Sequence, residues 1–257
     1  MVKVTGIVVI TGSRPSEIVG WRVAGRGWIM SRTRRLVVAL TVAVVVISLL
    51  GATVWFVFLP NWRPPLRAGE QFGIDVSSHQ GSIQWPRVAA DDIRFAYIKA
   101  TEGSDFIDQK FADNWRVAGA AGLRRGAYHS FTLCTPGADQ AANFLRIAPP
   151  DARALPPAVN LELVGNCASR PSRAELEREL AAFIGRIELA WHVPVMPYVG
   201  DEWERMYPSR NRLARRLWQL RVLRRPHQAQ WVVWQVHGLA HIEGIKGRVD
   251  LDVMRKR

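Results

Sequence analysis

The stretch Leu155-Pro156-Pro157-Ala158-Val159-Asn160-Leu161-Glu162-Leu163 decides how the rest of this chain is read. Its prolines mark a loop, and the apolar run behind them reads as one buried strand. Two polar side chains, Asn160 and Glu162, interrupt the run two positions apart. Alternate residues of a strand share a face, so the amide and the carboxyl group project together, with Cβ atoms roughly 6–7 Å apart. A buried carboxyl group is costly without a partner or a task. A pair that caps neighbouring loops meets that condition as well as a catalytic acid does, so the flanking sequence has to choose.

Outward from this strand, strands and helices alternate. Residues 72–77, 94–99 and 126–131 precede it as strands, and 194–199 follows. Helical spacing of apolar residues marks 111–121, 138–147 and 173–191, and 83–88 looks like the start of another helix. Ser172 with Glu175 three residues on is a capping box for the helix beginning at Arg173. Such alternation implies a mostly parallel sheet. Beyond Tyr198 it weakens: 217–220, 231–236 and 247–253 read as strands with little helix between them. The count is about eight strands and five helical crossovers. The strands end in polar residues: Asp75; Lys99 with Glu102; Tyr128 and His129; Glu162; Tyr198. In a β/α barrel those ends converge on one face, where catalytic groups collect.

Several short motifs lie on these strands in order: Gly73-Ile-Asp-Val-Ser-Ser-His-Gln-Gly81, Lys99-Ala-Thr-Glu-Gly103, Gly126-Ala-Tyr-His129, Asn160-Leu-Glu162, Trp234-Gln235 and Val249-Asp-Leu-Asp252. As an ordered set they resemble glycoside hydrolase family 25, the muramidases that cut bacterial peptidoglycan, over about residues 70–254. The resemblance implies an incomplete TIM-like β/α barrel, with five β/α units and three closing strands. It implies Glu162 as the general acid, with Asp75, Asn160 and Asp250 on the other acidic positions of the cleft. It also implies that the substrate's own 2-acetamido group serves as nucleophile, oriented by the residue at 160. The close pair at 160 and 162 suits a retaining geometry, in which the carboxyl groups lie about 5–5.5 Å apart. One departure stands out, because the family expects Asp at 160 and this chain has Asn. An asparagine still accepts a hydrogen bond from an acetamido N–H, but it supplies no negative charge.

Around that centre, Tyr128, Tyr198 and Trp234 are candidates for stacking on sugar rings, against a plain role in core packing; Gln235 joins them as a substrate-binding candidate. Lys99 and Glu102 are expected to form a buried pair that shapes the cleft floor. His129 is expected to be a structural hydrogen-bonder. Cys134 and Cys167 each follow a strand end; they could form a disulfide in an oxidising compartment or remain buried thiols. No metal-ligand spacing and no phosphate-cradling glycine loop occurs, so neither metal nor cofactor is expected.

The N-terminal part reads differently. Positions 36–59 carry no charge, a run long enough for a membrane-spanning helix of about 20 residues. A secretory signal has a shorter apolar core and a small-residue cleavage site; the Ala52-Thr-Val-Trp-Phe sequence is a poor site, so an uncleaved anchor is the preferred reading, with secretion after cleavage as the alternative. Arg22, Arg26, Arg32, Arg34 and Arg35 precede the span and Arg63 and Arg67 follow it, which favours an inside N-terminus and an outside domain. The expected organisation is thus a cytoplasmic segment at 1–35 (with a natural start at Met30), the span at 36–59, a stiff proline-containing linker at 60–69 and the barrel at 70–257.

Basic residues outnumber acidic ones, 35 to 22, a formal charge of +13. Such a balance favours anionic neighbours: nucleic acid, lipid or an acidic polymer. Nucleic acid is excluded as an expectation for an exported domain without a binding motif. From Arg205 to Arg225 there are eight arginines and no acid, read either as a solvated helical face or as a dock for anionic envelope polymers and headgroups. The expected function is a membrane-anchored muramidase whose partner is peptidoglycan; the alternative is a catalytically silent peptidoglycan-binding domain.

Overall fold

The protein is described by a computed structural model covering residues 31–227 and 229–255. The expected cytoplasmic segment before Ser31, with Met30, Arg22 and Arg26, lies outside the described residues. The chain forms two units that divide between Leu49 and Leu50.

The described part of the first unit is helical. Helix α1 (Arg32–Thr53) continues into a π-helical turn at Val54–Phe58 and a last turn, α2 (Leu59–Asn61). The whole apolar helix, Arg32–Asn61, has 30 residues, a mean hydropathy of 2.7 in its most apolar window and no burial there. At 1.5 Å per residue it is long enough to cross a bilayer. A long apolar helix near the N-terminus is the mark of a signal sequence or an anchor.

The second unit is a mixed eight-stranded barrel. Its strands are β1 (Glu70–Val76), β2 (Ile93–Glu102), β4 (Arg124–Ser130), β5 (Ala158–Leu161), β6 (Met196–Val199), β7 (Leu217–Leu220), β8 (Trp231–Ala240) and β9 (Val249–Arg255). Neighbours from β1 through β8 pair in parallel, while β9 runs antiparallel to both β8 and β1. Because β1 pairs with β2 on one side and β9 on the other, the ring is closed. The expected five β/α units and three closing strands are both present, and what is incomplete is the outer layer of helices. Five connections contain a helix: α3 (Trp85–Ala90), α4 (Phe111–Ala120), α5 (Gly137–Ile147), α6 (Arg173–Trp191) and the short α7 (Asp201–Met206). The last two connections have none among the described residues. A two-residue strand, β3 (Phe106–Ile107), folds back on the end of β2 and is too short to be read in the sequence.

Strand alternation divides the buried side chains between two cores. The outward-facing set packs against the helices. Helix α6 supplies Leu176, Leu180, Phe183, Ile184, Ile187 and Trp191 from one stripe. Both bonds of its Ser172–Glu175 capping box are made. The inward-facing set fills the barrel with Phe95, Tyr97, Trp218, Val233, Met254 and their neighbours. Two glycines make room for these rings. A Cβ on Gly73 would fall 2.3 Å from the Phe95 ring, and one on Gly126 would fall 2.2 Å from Tyr97. The barrel floor is therefore plugged with aromatic rings, and only the C-terminal mouth is open to chemistry.

The residues expected to form a linker lie against the barrel. Trp62 and Leu66 pack on the outer core, Pro64 is buried, and Arg63 pairs with Asp91 at 2.7 Å.

Candidate active site

Strand β5 ends at Leu161, which places Asn160 in the last rung and Glu162 just beyond it, at the mouth. The two side chains meet: Asn160 Nδ2 donates to Glu162 Oε2 at 3.0 Å. From β6, the Tyr198 hydroxyl donates to the other carboxylate oxygen, Oε1, at 3.1 Å. Glu162 is thus held from both sides by neutral donors. Gly200 passes close beneath, and a Cβ there would sit 3.1 Å from Glu162 Cγ. With its nitrogen committed to Glu162, Asn160 is left with a buried carbonyl oxygen that has no partner.

Two adjoining cavities of about 220 and 400 Å³ share Tyr128, Asn160 and Glu162 as a common wall. The smaller is polar, lined by Ser77, His79, Lys99, Glu102, Ser130 and Thr132 among others. Lys99 Nζ lies 2.6 Å from Glu102 Oε2 on this wall, so the expected pair forms, but half-buried rather than buried in the cleft floor. The larger cavity is lined by Asp75, Tyr198, Trp218, Leu220, Val222, Gln235 and Asp250.

The larger cavity has an acidic floor. Asp75 on β1 lies directly across from Asp250 on β9, and Asp252 projects to the same side two residues on. Trp218 Nε1 donates to Asp252 Oδ1 at 3.0 Å. Burial raises the pKa of Asp75 well above the carboxylate range, and the charges of Asp250 and Asp252 and a bond to the Asp252 side chain add to the rise. Asp252 is raised in the same way, by burial and then by Asp250. Two carboxyl groups this close in an apolar pocket keep a proton between them. Asp250 is raised less, to about 6, by burial; a bond to the Gln235 side chain opposes the rise and Glu162 adds to it. Of the three, Asp250 is the carboxyl group whose ionisation burial opposes least.

Most of the residues singled out in the sequence converge here: Glu162, Asn160, Asp75, Asp250, Tyr128, Tyr198, Gln235, Lys99 and Glu102 all line one cavity or both. Trp234 does not, and its expected stacking role is corrected. On β8, Val233 and Gln235 face the barrel interior, so Trp234 faces outward, where it is 1% exposed in the helix-facing core. Its Nε1 donates to the Arg221 carbonyl at 2.8 Å, and Arg225 stands over its ring. The Tyr198 ring is also turned edge-on to Trp218 and buried, which leaves its hydroxyl, not its face, toward the cleft. His129 is fully buried between Thr101 and Gln140, and burial lowers its pKa to about 4; it is a neutral core residue.

Sequence reading passed over two residues. Asp252 could have been found, since it shares a strand face with Asp250. Asn166 carried no such signal. Its Nδ2 donates to the carbonyls of Phe131 (2.8 Å) and Glu162 (2.9 Å), and its Oδ1 accepts from the N–H groups of Leu133 (3.0 Å) and Cys167 (2.9 Å). This one side chain ties the loop after β4 to the backbone of Glu162. A Cys134–Cys167 disulfide joins the same two loops.

The arginines between 205 and 225 form no single face. They span the end of α7, a loop, β7 and the turn after it. Arg205, Arg210, Arg212, Arg215 and Arg225 pair with Glu202, Asp201, Glu177, Glu188 and Glu70. Arg216, Arg221 and Arg224 have no acidic partner among the described residues.

A closed barrel of this topology, with a carboxylic acid at the end of β5 over an acidic floor, collects its titratable groups at one mouth, as β/α-barrel enzymes do. Residues 74–245 match the family described as Glycosyl hydrolases family 25, and the chain belongs to that lysozyme-type family. Asp250 lies just past the matched span. The uncharacterized protein YegX of Escherichia coli K12 is 30% identical over 189 residues, covering 70% of this chain and 68% of that protein. Lysozyme M1 of Streptomyces globisporus is 54% identical over 57 residues, 22% of this chain and 19% of its own. Among solved structures, a family 25 glycosyl hydrolase from Bacillus anthracis superposes with a TM-score of 0.68 at 31% identity, covering 76% of this chain and 93% of its own. A bacterial lysozyme from Streptomyces coelicolor gives 0.65 at 29% identity, covering 72% and 92%.

Proposed function

We propose that this protein is a muramidase that cleaves the β-1,4 bond between N-acetylmuramic acid and N-acetylglucosamine in peptidoglycan, with retention and with substrate assistance. The observation that carries the reading is the Tyr198–Glu162–Asn160 chain at the junction of the two cavities, which sets one acid where a glycan threading both would present its scissile bond. Protonated Glu162 gives its proton to the glycosidic oxygen, and the leaving sugar departs as an alcohol. The acetamido carbonyl oxygen of the substrate attacks C1 from the opposite face and closes an oxazolinium ring. The free Oδ1 of Asn160 accepts the acetamido N–H and holds that group in line. Water then adds to C1 while Glu162 takes its proton, which restores both the acid and the original anomeric configuration.

Asn160 sets the rate. An aspartate there would also stabilise the positive charge growing on the acetamido group, an effect of about 3–4 kcal/mol, or roughly a hundred- to thousand-fold in turnover. Burial and the neighbouring carboxyl groups disfavour the charge of Asp75; Asp250, raised less, is the carboxylate better able to supply it. The protein works outside the cytoplasmic membrane, held there by its apolar helix with the N-terminus inside, as the arginines before the span favour.

The test is release of reducing muramic-acid ends from purified peptidoglycan by the soluble portion from about residue 60 onward, which keeps the segment packed on the barrel. Activity in the parent, its loss in Glu162→Gln and a rise of at least tenfold in Asn160→Asp are expected. If the parent and Asn160→Asp are both inert while peptidoglycan is still bound, the cleft is a binding site and not a catalytic one.

A further inference from the structure

The larger cavity is bordered by a tight turn that the proposed chemistry does not use. Residues 221–224 close on themselves through Arg224 N–H to the Arg221 carbonyl at 3.2 Å. Leu223, the third residue of that turn, has φ 55°, a conformation that favours glycine and is strained for a branched side chain. Bonds from Arg221 N–H to the Gln235 carbonyl (3.1 Å) and from Leu223 N–H to the Val236 carbonyl (3.0 Å) hold it to β8. Val222 lines the cavity yet is 60% exposed, and Leu223 is 39% exposed. Strain held in place at the rim of a cleft is typical of ligand clamps.

The turn also carries a cation at each end. Its ends, Arg221 and Arg224, lie within about 7 Å of each other by the geometry of a β-turn. Both are exposed, and neither has an acidic partner among the described residues. Their sequence neighbour Arg225 is fully engaged with Glu70 and Trp234. An exposed guanidinium without an acidic partner is available to pair with an arriving anion. A bare chitin-like glycan carries no such group.

We propose that the turn at 221–224 is a subsite for a carboxylate carried by the glycan in the cleft, with Arg221 and Arg224 pairing to it and Val222 packing on its apolar stem. The inference rests on the muramidase reading, and it adds what the substrate must bear. The carboxylate has two sources, the free lactyl group of muramic acid or the acidic peptide attached there.

Binding in Glu162→Gln separates this proposal from turnover. Affinity would be measured for peptide-bearing glycan strands, for strands stripped of peptide by an amidase, and for an N-acetylglucosamine oligomer of equal length. The same three would be titrated against the Glu162→Gln protein carrying Arg221→Gln and Arg224→Gln. We expect the double change to weaken one or both carboxylate-bearing ligands roughly five- to tenfold, the size two exposed charge contacts give, and to leave the neutral oligomer unchanged. The lost part should also disappear in the unsubstituted turn at high salt. Loss confined to peptide-bearing strands assigns the peptide; loss confined to stripped strands, where alone the lactyl carboxylate is free of its amide bond, assigns the lactyl group; loss on both shows that the turn takes either carboxylate. Equal weakening of all three ligands, or of none, overturns the proposal. Since binding is read directly, an inert parent enzyme would sink the catalytic reading and leave this test standing.

Discussion

Asn166 holds the backbone of Glu162 and so fixes where that residue sits. Four hydrogen bonds saturate its amide, and two of them hold the carbonyls of Glu162 and Phe131. In Asn166→Ala those carbonyls lose their donor, at a cost of about 1–3 kcal/mol each where they are buried. A shift of about an ångström in an acid lowers turnover by up to roughly a hundredfold. We therefore expect kcat on peptidoglycan to fall ten- to a hundredfold with KM within about twofold. A lowered Tm with unchanged kcat would mean that Asn166 serves the loop and not the acid. Asn160 teaches the complementary lesson. Its spacing from Glu162 was legible in the sequence, because strand periodicity alone puts both on one face. Which atom of its amide would remain free was not, because that depends on the donor geometry about Glu162.

At the scale of elements, the mouth is built from loops of unequal support. The loops after β4 and β5 are joined by the Cys134–Cys167 disulfide, at a separation of 33 residues. Closing a loop of that length is worth roughly 4 kcal/mol through the entropy of the unfolded chain. Replacing both cysteines by serine should lower Tm by roughly 8–16 °C for a domain of this size. Substrate affinity should fall as well, because Val164, Gly165 and Asn166 of the second loop line the smaller cavity. An unchanged melting curve would show that the cross-link adds nothing to Asn166 and its four bonds. The strands themselves were readable: Leu217–Leu220 stands as expected from its sequence, and the other barrel strands differ by a few residues at their ends. Short α7 was not, since six residues give too little periodicity to separate from a loop.

For the molecule as a whole, the acidic floor makes stability depend on pH. Asp250 has a folded pKa of about 6, above its ordinary value of 3.8, chiefly because it is buried. A carboxyl group raised in this way favours the fold below its unfolded pKa, and that contribution is lost as pH rises through the folded one. Asp75 and Asp252 shift in the same direction. For Asp250 the loss between pH 4 and pH 6 comes to about 2 kcal/mol. Asp250→Asn should accordingly melt higher than the parent at pH 7, match it near pH 4, and release muropeptides more slowly. Thermal unfolding of both proteins across pH 4–7 would show this, and parallel curves would refute it.

The sequence by itself determined the family, the closing trio of strands, the apolar helix and nearly all of the cleft, because order, periodicity and strand-end polarity are local properties. Tertiary structure decided what depends on facing and closure. It sent Trp234 to the outer core and Gln235 to the cavity, since neighbouring strand residues point to opposite sides. It closed the ring through β1 and β9, which lie at the two ends of the barrel sequence. It also neutralised most of the arginine-rich segment with acids from distant elements and left Arg221 and Arg224 unpaired at the rim. Which charges cancel is a matter of distance in space, and the linear chain does not record it.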